Sequence, residues 1–283
     1  MKTLKRILAA TTLLVTLGFA SEANAQVPLE NFFKNPEKAG YQISPDGKYF
    51  SYMAPYENRL NLFVQEVGSD KATRITSETV RDLAGSMWAN GHRILYIKDT
   101  AGDENFQLYG VNVDGTDSKA YTAFPKVRTT IIDPLENIDS LVIIGLNKRN
   151  PQVFDPYRLN LNNGELTQLA ENPGNIQGWM TDHNGKLRVA LAIVDGVNTQ
   201  ILYRETKEQP FRPVLTTNFR ETVSFATFTP DNKMVYALTN IGRDKTALVL
   251  MDPATCEEKE VLYTNDKYDI SGLGYSELKK KLI

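Results

Sequence analysis

Short apolar segments alternate with polar turns along most of this chain. Asn, Asp and Gly occupy the recurring turns, and a run that alternates apolar and polar residues follows each one. Successive turns are 44, 46, 48 and 47 residues apart. Dipeptides such as Asn-Gly tolerate the positive φ that tight turns between strands require. The five turn–strand pairs are Ser44–Gly47 with Lys48–Met53, Asn90-Gly91 with Arg93–Ile97, Glu136-Asn137 with Ser140–Ile144, Asn184-Gly185 with Leu187–Ile193, and Asp231-Asn232 with Met234–Leu238.

Two further strands complete each repeat, and an apolar or aromatic segment precedes each turn. Four short strands in roughly 45 residues are typical of a β-propeller blade. The pattern therefore predicts an all-β fold with blades that start near residues 43, 87, 132, 179 and 226. The later strands are predicted at Asn61–Val67, Gln107–Val113, Pro156–Leu161, Thr199–Arg204 and Ala247–Met251, then at Ala72–Thr76, Lys119–Thr122, Leu166–Ala170, Arg212–Thr216 and Glu260–Thr264.

A sixth unit begins near residue 270. Ile270–Tyr275 resembles the opening of a blade, and Ser276–Ile283 supplies a turn and the first residues of the next strand. We therefore expect residues 26–283 to form an incomplete propeller, with about five blades and the start of a sixth. Helical periodicity is weak except at Leu29–Lys34.

The first 25 residues have the pattern of a secretory signal peptide. Lys2, Lys5 and Arg6 precede the uncharged apolar run Ile7–Phe19. The small residues Ala23 and Ala25 then precede the expected cleavage site. The apolar run is short for a membrane span, so no permanent membrane anchor is expected. The sequence thus predicts a secreted protein of the bacterial periplasm, with residues 1–25 removed.

The net charge bears on the class of partner, and the cysteine content bears on disulfide bonds. The formal net charge is −2, and loss of the signal peptide would change it to about −4, which gives no electrostatic reason to expect nucleic acid as a partner. Cys256 is the single cysteine, so an internal disulfide is excluded.

The candidates for metal or acid–base chemistry are weak. His92 follows a turn glycine where the sibling repeats have Lys, which indicates an exposed turn residue. The acidic loop with Asp99, Asp103 and Glu104 lacks the spacing of an EF-hand. His183 lies before the turn of its own repeat and is not paired with His92 by spacing. We expect no metal site and no cofactor.

The nucleophile candidates are equally weak. Ser276 lies in Gly274-Tyr275-Ser276-Glu277-Leu278, where the second glycine of a G-x-S-x-G nucleophile turn is missing. Cys256 precedes two glutamates that would raise the pKa of its thiol. The basic run Lys279–Lys281 is most simply a solvated strand end. We therefore predict no catalytic residue in this chain.

Three segments resemble bacterial S9 peptidases, the prolyl oligopeptidase family. They are Pro28–Pro55, Asp99–Tyr109 with its GDEN-x-x-LY pattern, and Asp269–Ser276. Within this family, the segments resemble most the members that are similar to dipeptidyl aminopeptidases and acylaminoacyl-peptidases. It implies a secreted serine peptidase for short peptides, in which a propeller of usually seven blades precedes an α/β-hydrolase domain with a Ser-Asp-His triad. No residue here matches a triad position, so the chain is expected to be truncated before that domain and inactive alone.

Other functions stay open at this point. The chain could instead be a free-standing TolB-like propeller that serves as a binding or scaffold module. A propeller lactonase or another metal-dependent propeller enzyme would need several carboxylates converging on the central channel. An incomplete ring also predicts self-association through its open edge. Peptides and a C-terminal α/β-hydrolase domain are the expected partners.

Overall fold

The computed structural model describes residues 27–34 and 36–283, so the signal peptide predicted at 1–25 lies outside the described residues. The chain divides into two units at Pro36 and Glu37. In the first unit, helix α1 (Glu30–Phe33) is exposed along its length. Among the described residues, no helix combines the length and the hydropathy that a membrane crossing requires.

The second unit, Glu37–Ile283, consists of five four-stranded antiparallel sheets and a short terminal hairpin. Sheet 1 contains β1 (Ala39–Ile43), β2 (Tyr49–Tyr56), β3 (Arg59–Glu66) and β4 (Ala72–Arg74). Sheet 2 contains β5 (Gly85–Asn90), β6 (Arg93–Lys98), β7 (Gln107–Asn112) and β8 (Lys119–Ala120). Sheet 3 contains β9 (Thr129–Asp133), β10 (Leu141–Asn150), β11 (Val153–Asn160) and β12 (Leu166–Gln168).

The remaining strands follow the same plan. Sheet 4 contains β13 (Ile176–Thr181), β14 (Leu187–Val194), β15 (Asn198–Tyr203) and β16 (Arg212–Thr217). Sheet 5 contains β17 (Val223–Phe228), β18 (Val235–Thr239), β19 (Ala247–Met251) and β20 (Glu258–Tyr263). The terminal hairpin contains β21 (Tyr275–Ser276) and β22 (Lys281–Leu282).

The predicted fold class is confirmed. In every four-stranded sheet the neighbouring strands are consecutive in sequence, which is the arrangement of a propeller blade. The first strands begin at Ala39, Gly85, Thr129, Ile176 and Val223, two to four residues before the predicted blade starts. In sheets 1, 3, 4 and 5 the first strand continues pairing beyond an irregularity close to the predicted start. In sheet 2 the irregularity lies later, between Trp88 and Asn90.

That irregularity is a register shift, and it occurs in the first strand of all five sheets. In sheet 4, for example, Ile176 and Gly178 pair with the adjacent residues Ala192 and Leu191, so Gln177 is an extra residue. A bulge of this kind bends the strand and increases its twist. The first strands are therefore bent at these positions.

Apolar cores form between consecutive sheets. Sheets 1 and 2 enclose a cluster that includes Leu62 and Ile94, both fully buried. Sheets 2 and 3 enclose another around Leu95 and Ile144, and sheets 4 and 5 enclose a third around Phe228. Because alternate side chains of a strand point to opposite faces, an inner sheet such as sheet 2 contributes to two different cores.

The boundary between sheets 3 and 4 is built differently. Its buried apolar cluster contains Ile176 and two small residues, Ala190 and Ala192. Beside it, the buried carboxylate of Asp155 accepts hydrogen bonds from Arg149 (2.9 Å to Nε) and from the backbone N–H of Asn172 (2.7 Å). Polar contacts thus replace part of the apolar packing at this boundary.

Side chains in the first strands and the turns that follow them also link neighbouring sheets. Gln42 donates to the Ser86 carbonyl (2.8 Å), and Asn90 donates to the Asp139 carbonyl (3.0 Å). Further along, the hydroxyl of Thr181 donates to Asp133. These contacts set the position of each sheet relative to the next one.

Close packing between sheets 2 and 3 predicts a specific cost at Gly110. A Cβ atom at this position would lie 2.8 Å from the Tyr121 ring and 3.1 Å from Leu95. Tyr121 cannot move freely, because its hydroxyl accepts from Arg93 and donates to the Leu161 carbonyl. We therefore expect Gly110→Ala to lower the free energy of unfolding by about 1–3 kcal/mol, measured by urea denaturation.

Gly85→Ala is the matched control in the same sheet. Its added Cβ would lie 3.8 Å from Ile97, an ordinary contact distance. The control should change the free energy of unfolding by less than about 0.5 kcal/mol. Equal stability of the two variants would contradict the packing described for Gly110.

Candidate functional site

A cavity of about 650 Å³ lies where the first strands of sheets 3, 4 and 5 meet the terminal hairpin. A volume of this size is within the range of small-molecule and peptide sites. It lies beside the boundary between sheets 3 and 4, where the apolar packing is thinnest. The residues that line it are Ile132–Asn137, Trp179–His183, Phe225–Thr227, Leu238, Gly272, Leu273, Tyr275 and Glu277.

Acidic side chains cluster on one side of this cavity. Glu136 is at its rim, and burial, followed by the negative charges of Glu277 and Asp133, raises the pKa of its carboxyl. Asp133 accepts a hydrogen bond from Thr181, and Glu277 accepts one from Asn137 (2.7 Å). These three carboxyl groups therefore lie close together, and their combined negative charge favours a cation.

Aromatic side chains form another part of the wall. Trp179 of β13 lies in this cavity and also lines neighbouring cavities of about 380 and 540 Å³. Its ring packs against Phe211 with a centroid distance of 5.6 Å, and Phe211 in turn lies 4.3 Å from the guanidinium carbon of Arg204. Trp179 thus separates several cavities along the boundary between sheets 3 and 4.

His183 connects three parts of the site. Its Nε2 atom is 2.9 Å from the Phe228 carbonyl, and its backbone N–H donates to Asn232 (2.9 Å), so it bridges sheets 4 and 5. Its Nδ1 atom is 3.4 Å from Glu277, and its ring stacks on Tyr275 with a centroid distance of 5.5 Å. The imidazole is therefore held between a carbonyl and a carboxylate.

The structure places the other histidine and the acidic loop away from this cavity. His92 is an exposed turn residue of sheet 2. Asp99 is buried beside Arg81 (3.3 Å) and accepts from the backbone N–H of Glu104, while Asp103 accepts from the N–H groups of Thr100 and Asn105. These acids stabilise the turn between β6 and β7. Among the described residues, no group of three or more His, Cys, Asp or Glu side chains is arranged to hold a metal ion.

The nucleophile candidates occupy structural positions. Burial and then the charge of Asp252 raise the pKa of Cys256 to about 11, so the neighbouring glutamates named from the sequence are not the cause. The Ser276 hydroxyl accepts from the backbone N–H of Lys279 (3.1 Å), which closes the turn of the terminal hairpin. Lys279, Lys280 and Lys281 are exposed.

Sequence reasoning did not identify Glu136, Trp179 or His183 as members of one site. The sequence signal was that all three lie in or beside a predicted first strand or its turn, the part of a propeller blade closest to the channel. Their proximity to Glu277 could not be deduced, because Asn137 and Glu277 are 140 positions apart.

Comparisons with known proteins agree with the sequence resemblance. The chain is 30% identical over 249 residues to dipeptidyl aminopeptidase BIII of Pseudoxanthomonas mexicana, which covers 85% of this chain and 35% of that protein. It is 26% identical over 281 residues to dipeptidyl peptidase family member 6 of Caenorhabditis elegans, which covers 92% of this chain and 37% of that protein. This chain thus spans little more than a third of either relative. No family model matches it.

A solved structure supports the fold. A prolyl endopeptidase superposes with a TM-score of 0.61 at 12% identity, covering 94% of this chain and 43% of the endopeptidase. At that identity the likeness concerns the fold alone. Together with the sequence matches, it confirms the resemblance noted in the sequence: over most of its length this chain is similar to the β-propeller portion of S9-family dipeptidyl peptidases.

Proposed function

We propose that this chain is the substrate-gating propeller of a secreted S9-family serine peptidase that cleaves short peptides, and that it does not hydrolyse peptides alone. The observation that carries the proposal is the 30% identity to dipeptidyl aminopeptidase BIII over 249 residues. In this proposal the serine, aspartate and histidine of the catalytic triad belong to an α/β-hydrolase domain, and the propeller restricts access to them. The periplasm is the proposed location, because the first 25 residues have the pattern of a signal peptide.

The cavity chemistry supports peptides as the ligand class. The carboxylates of Asp133, Glu136 and Glu277 would attract the ammonium group of a peptide's free N-terminus. The rings of Trp179 and Tyr275 would contact its apolar side chains. A short peptide with a free amine thus fits both parts of the wall.

The first test of the proposal is catalysis. The purified chain should not turn over chromogenic aminoacyl or dipeptidyl substrates, and a fluorophosphonate probe should not label it, because we predict from the sequence that no residue here matches a position of the catalytic triad. Serine labelling that a competing peptide prevents would contradict the claim of inactivity.

Peptide binding provides a second and independent test. In a Trp88→Phe variant, Trp179 is the only tryptophan of the chain, so its fluorescence reports on the cavity. Adding a dipeptide with a free amine should change this fluorescence, and an N-acetylated dipeptide of the same sequence should bind more weakly. Glu136→Gln should weaken binding of the free amine by on the order of tenfold, the effect of losing a hydrogen bond to a charged group.

Glu165→Gln is the control, since Glu165 is an exposed residue of the same sheet outside the cavity wall. It should leave peptide binding unchanged. Equal binding of free and acetylated peptides would contradict the assigned role of the carboxylates. Failure of both peptides to bind would favour a different ligand, as expected of a free-standing binding module.

Self-association is the proposed behaviour of the isolated chain. Tyr41 and Ile43 of sheet 1 are 58% and 60% exposed, and Tyr263 of sheet 5 is 54% exposed. Apolar residues on sheet faces of this kind favour contacts between copies. The proposal is that sheet 1 of one copy contacts sheet 5 of another.

Sedimentation velocity at several concentrations tests this contact. The unmodified chain should form larger species as its concentration rises, and Ile43→Lys or Tyr263→Lys should reduce them. Val197→Lys is the control, because Val197 is equally exposed in the turn between β14 and β15. A concentration-independent monomer would overturn the proposal.

A further inference from the structure

The cavity of about 540 Å³ between sheets 3 and 4 has no charged side chain among the residues that line it. Asp155, next to Phe154 in β11, is neutralised by two hydrogen bonds from Arg149 (2.9 and 3.0 Å). A ligand in this cavity is therefore not selected by charge, unlike a ligand beside the three carboxyl groups of the 650 Å³ cavity. The lining residues are 130–132, 152–154, Asn172, Gly174 and 176–179.

The polar side chains of this wall divide into two kinds. Asn172 is fully engaged, because its amide accepts from the N–H of Gly174 (2.8 Å) and donates to the Ile176 carbonyl (2.9 Å). It holds the connection between β12 and β13 in shape. The side chains of Thr130, Gln152 and Gln177, by contrast, make no hydrogen bond to any other residue that the structure describes. One hydroxyl and two amides are thus available to a ligand.

The bulge of β13 places one of these amides in the wall. Gln177 is the extra residue between Ile176 and Gly178, which pair with adjacent residues of β14. Only alternate residues of a regular strand face the same side, whereas all four residues from Ile176 to Trp179 line this cavity. Bulges redirect side chains in this way and are common beside binding sites.

Trp179 adds a flat apolar surface to the same cavity. Its ring is supported by Phe211, at a centroid distance of 5.6 Å and an interplanar angle of 57°. The face of an aromatic ring carries partial negative charge and attracts the weakly positive C–H groups on one face of a pyranose ring. The hydroxyl groups at the edge of such a sugar both donate and accept hydrogen bonds, as the amides of Gln152 and Gln177 do.

We propose that this cavity is a binding site for an uncharged carbohydrate, with a pyranose ring on Trp179 and its hydroxyl groups on Thr130, Gln152 and Gln177. An aromatic surface combined with a few well-placed polar groups is typical of small-molecule sites, and the volume is within their range. The site does not depend on the peptidase assignment, because none of these four residues except Trp179 lines the 650 Å³ cavity.

An extended peptide fits this wall less well than a sugar. Peptides that bind to sheets add a strand through a regular series of main-chain hydrogen bonds. Both first strands in the wall are irregular, since Ile132 is an extra residue of β9 and Gln177 is an extra residue of β13. The charged ends of a peptide would also find no partner among the lining residues.

Fluorescence of Trp179 in the Trp88→Phe background tests the proposal. The probes are the methyl glycosides of glucose, galactose, mannose and N-acetylglucosamine, and at least one of them should change the fluorescence in a saturable way. Binding should be the same at about 50 mM and about 500 mM salt, because no ion pair contributes to it. Gln152→Ala and Gln177→Ala should each weaken it by about three- to tenfold, the effect of losing one neutral hydrogen bond.

Gln168→Ala is the matched control, because Gln168 is an exposed glutamine of β12 outside the cavity wall. It should bind the glycoside as the unmodified chain does. Ligand-observed NMR on the unmodified chain measures binding without relying on a variant or on the indole. Absence of binding of all four glycosides in both measurements would overturn the proposal. Equal affinities of the Gln152, Gln177 and Gln168 variants would overturn it too, as would tighter binding of a dipeptide that is acetylated and amidated at its ends.

Discussion

Burial of sheet faces against neighbouring sheets is the constraint on which the rest of this structure depends. A four-stranded sheet has two faces and cannot cover either of them alone. Leu62 of sheet 1 is fully buried because sheet 2 covers it, and Leu95 of sheet 2 is buried because sheet 3 covers it. The stability of each sheet is therefore shared with the sheets beside it.

The boundary between sheets 3 and 4 is where this shared burial is weakest, and cavities of about 650, 380 and 540 Å³ lie along it. Small residues such as Ala190 leave space that the large residues of the other boundaries fill. Trp179 occupies part of that space, and Asn172 links the two sheets by donating its backbone N–H to Asp155 of sheet 3 and its side-chain amide to the Ile176 carbonyl of sheet 4. Sparse apolar packing, the cavities and the cluster of acidic side chains thus occur in the same part of the molecule.

The fold could be predicted from the sequence because its signals are local. A turn such as Asn184-Gly185 and the alternation in Leu187–Ile193 are visible within ten residues, and both match β13, β14 and their connection. The candidate site could not be predicted in the same way. Glu136 and Glu277 come together only after three sheets have packed, and the ring of His183 has its role only because Phe228 and Glu277 lie on its two sides. The first-strand bulges escaped prediction too, since an extra residue looks like a break in the pattern.

Those bulges have a consequence for the behaviour of the chain in a crowded compartment. The first strand of a sheet has one edge without a β-strand partner from its own sheet, and such edges recruit strands from other chains and lead to aggregation. An extra residue such as Gln177 interrupts the regular spacing of N–H and C=O groups along that edge. Because all five first strands carry a register shift, an incoming strand would find no long regular edge with which to pair.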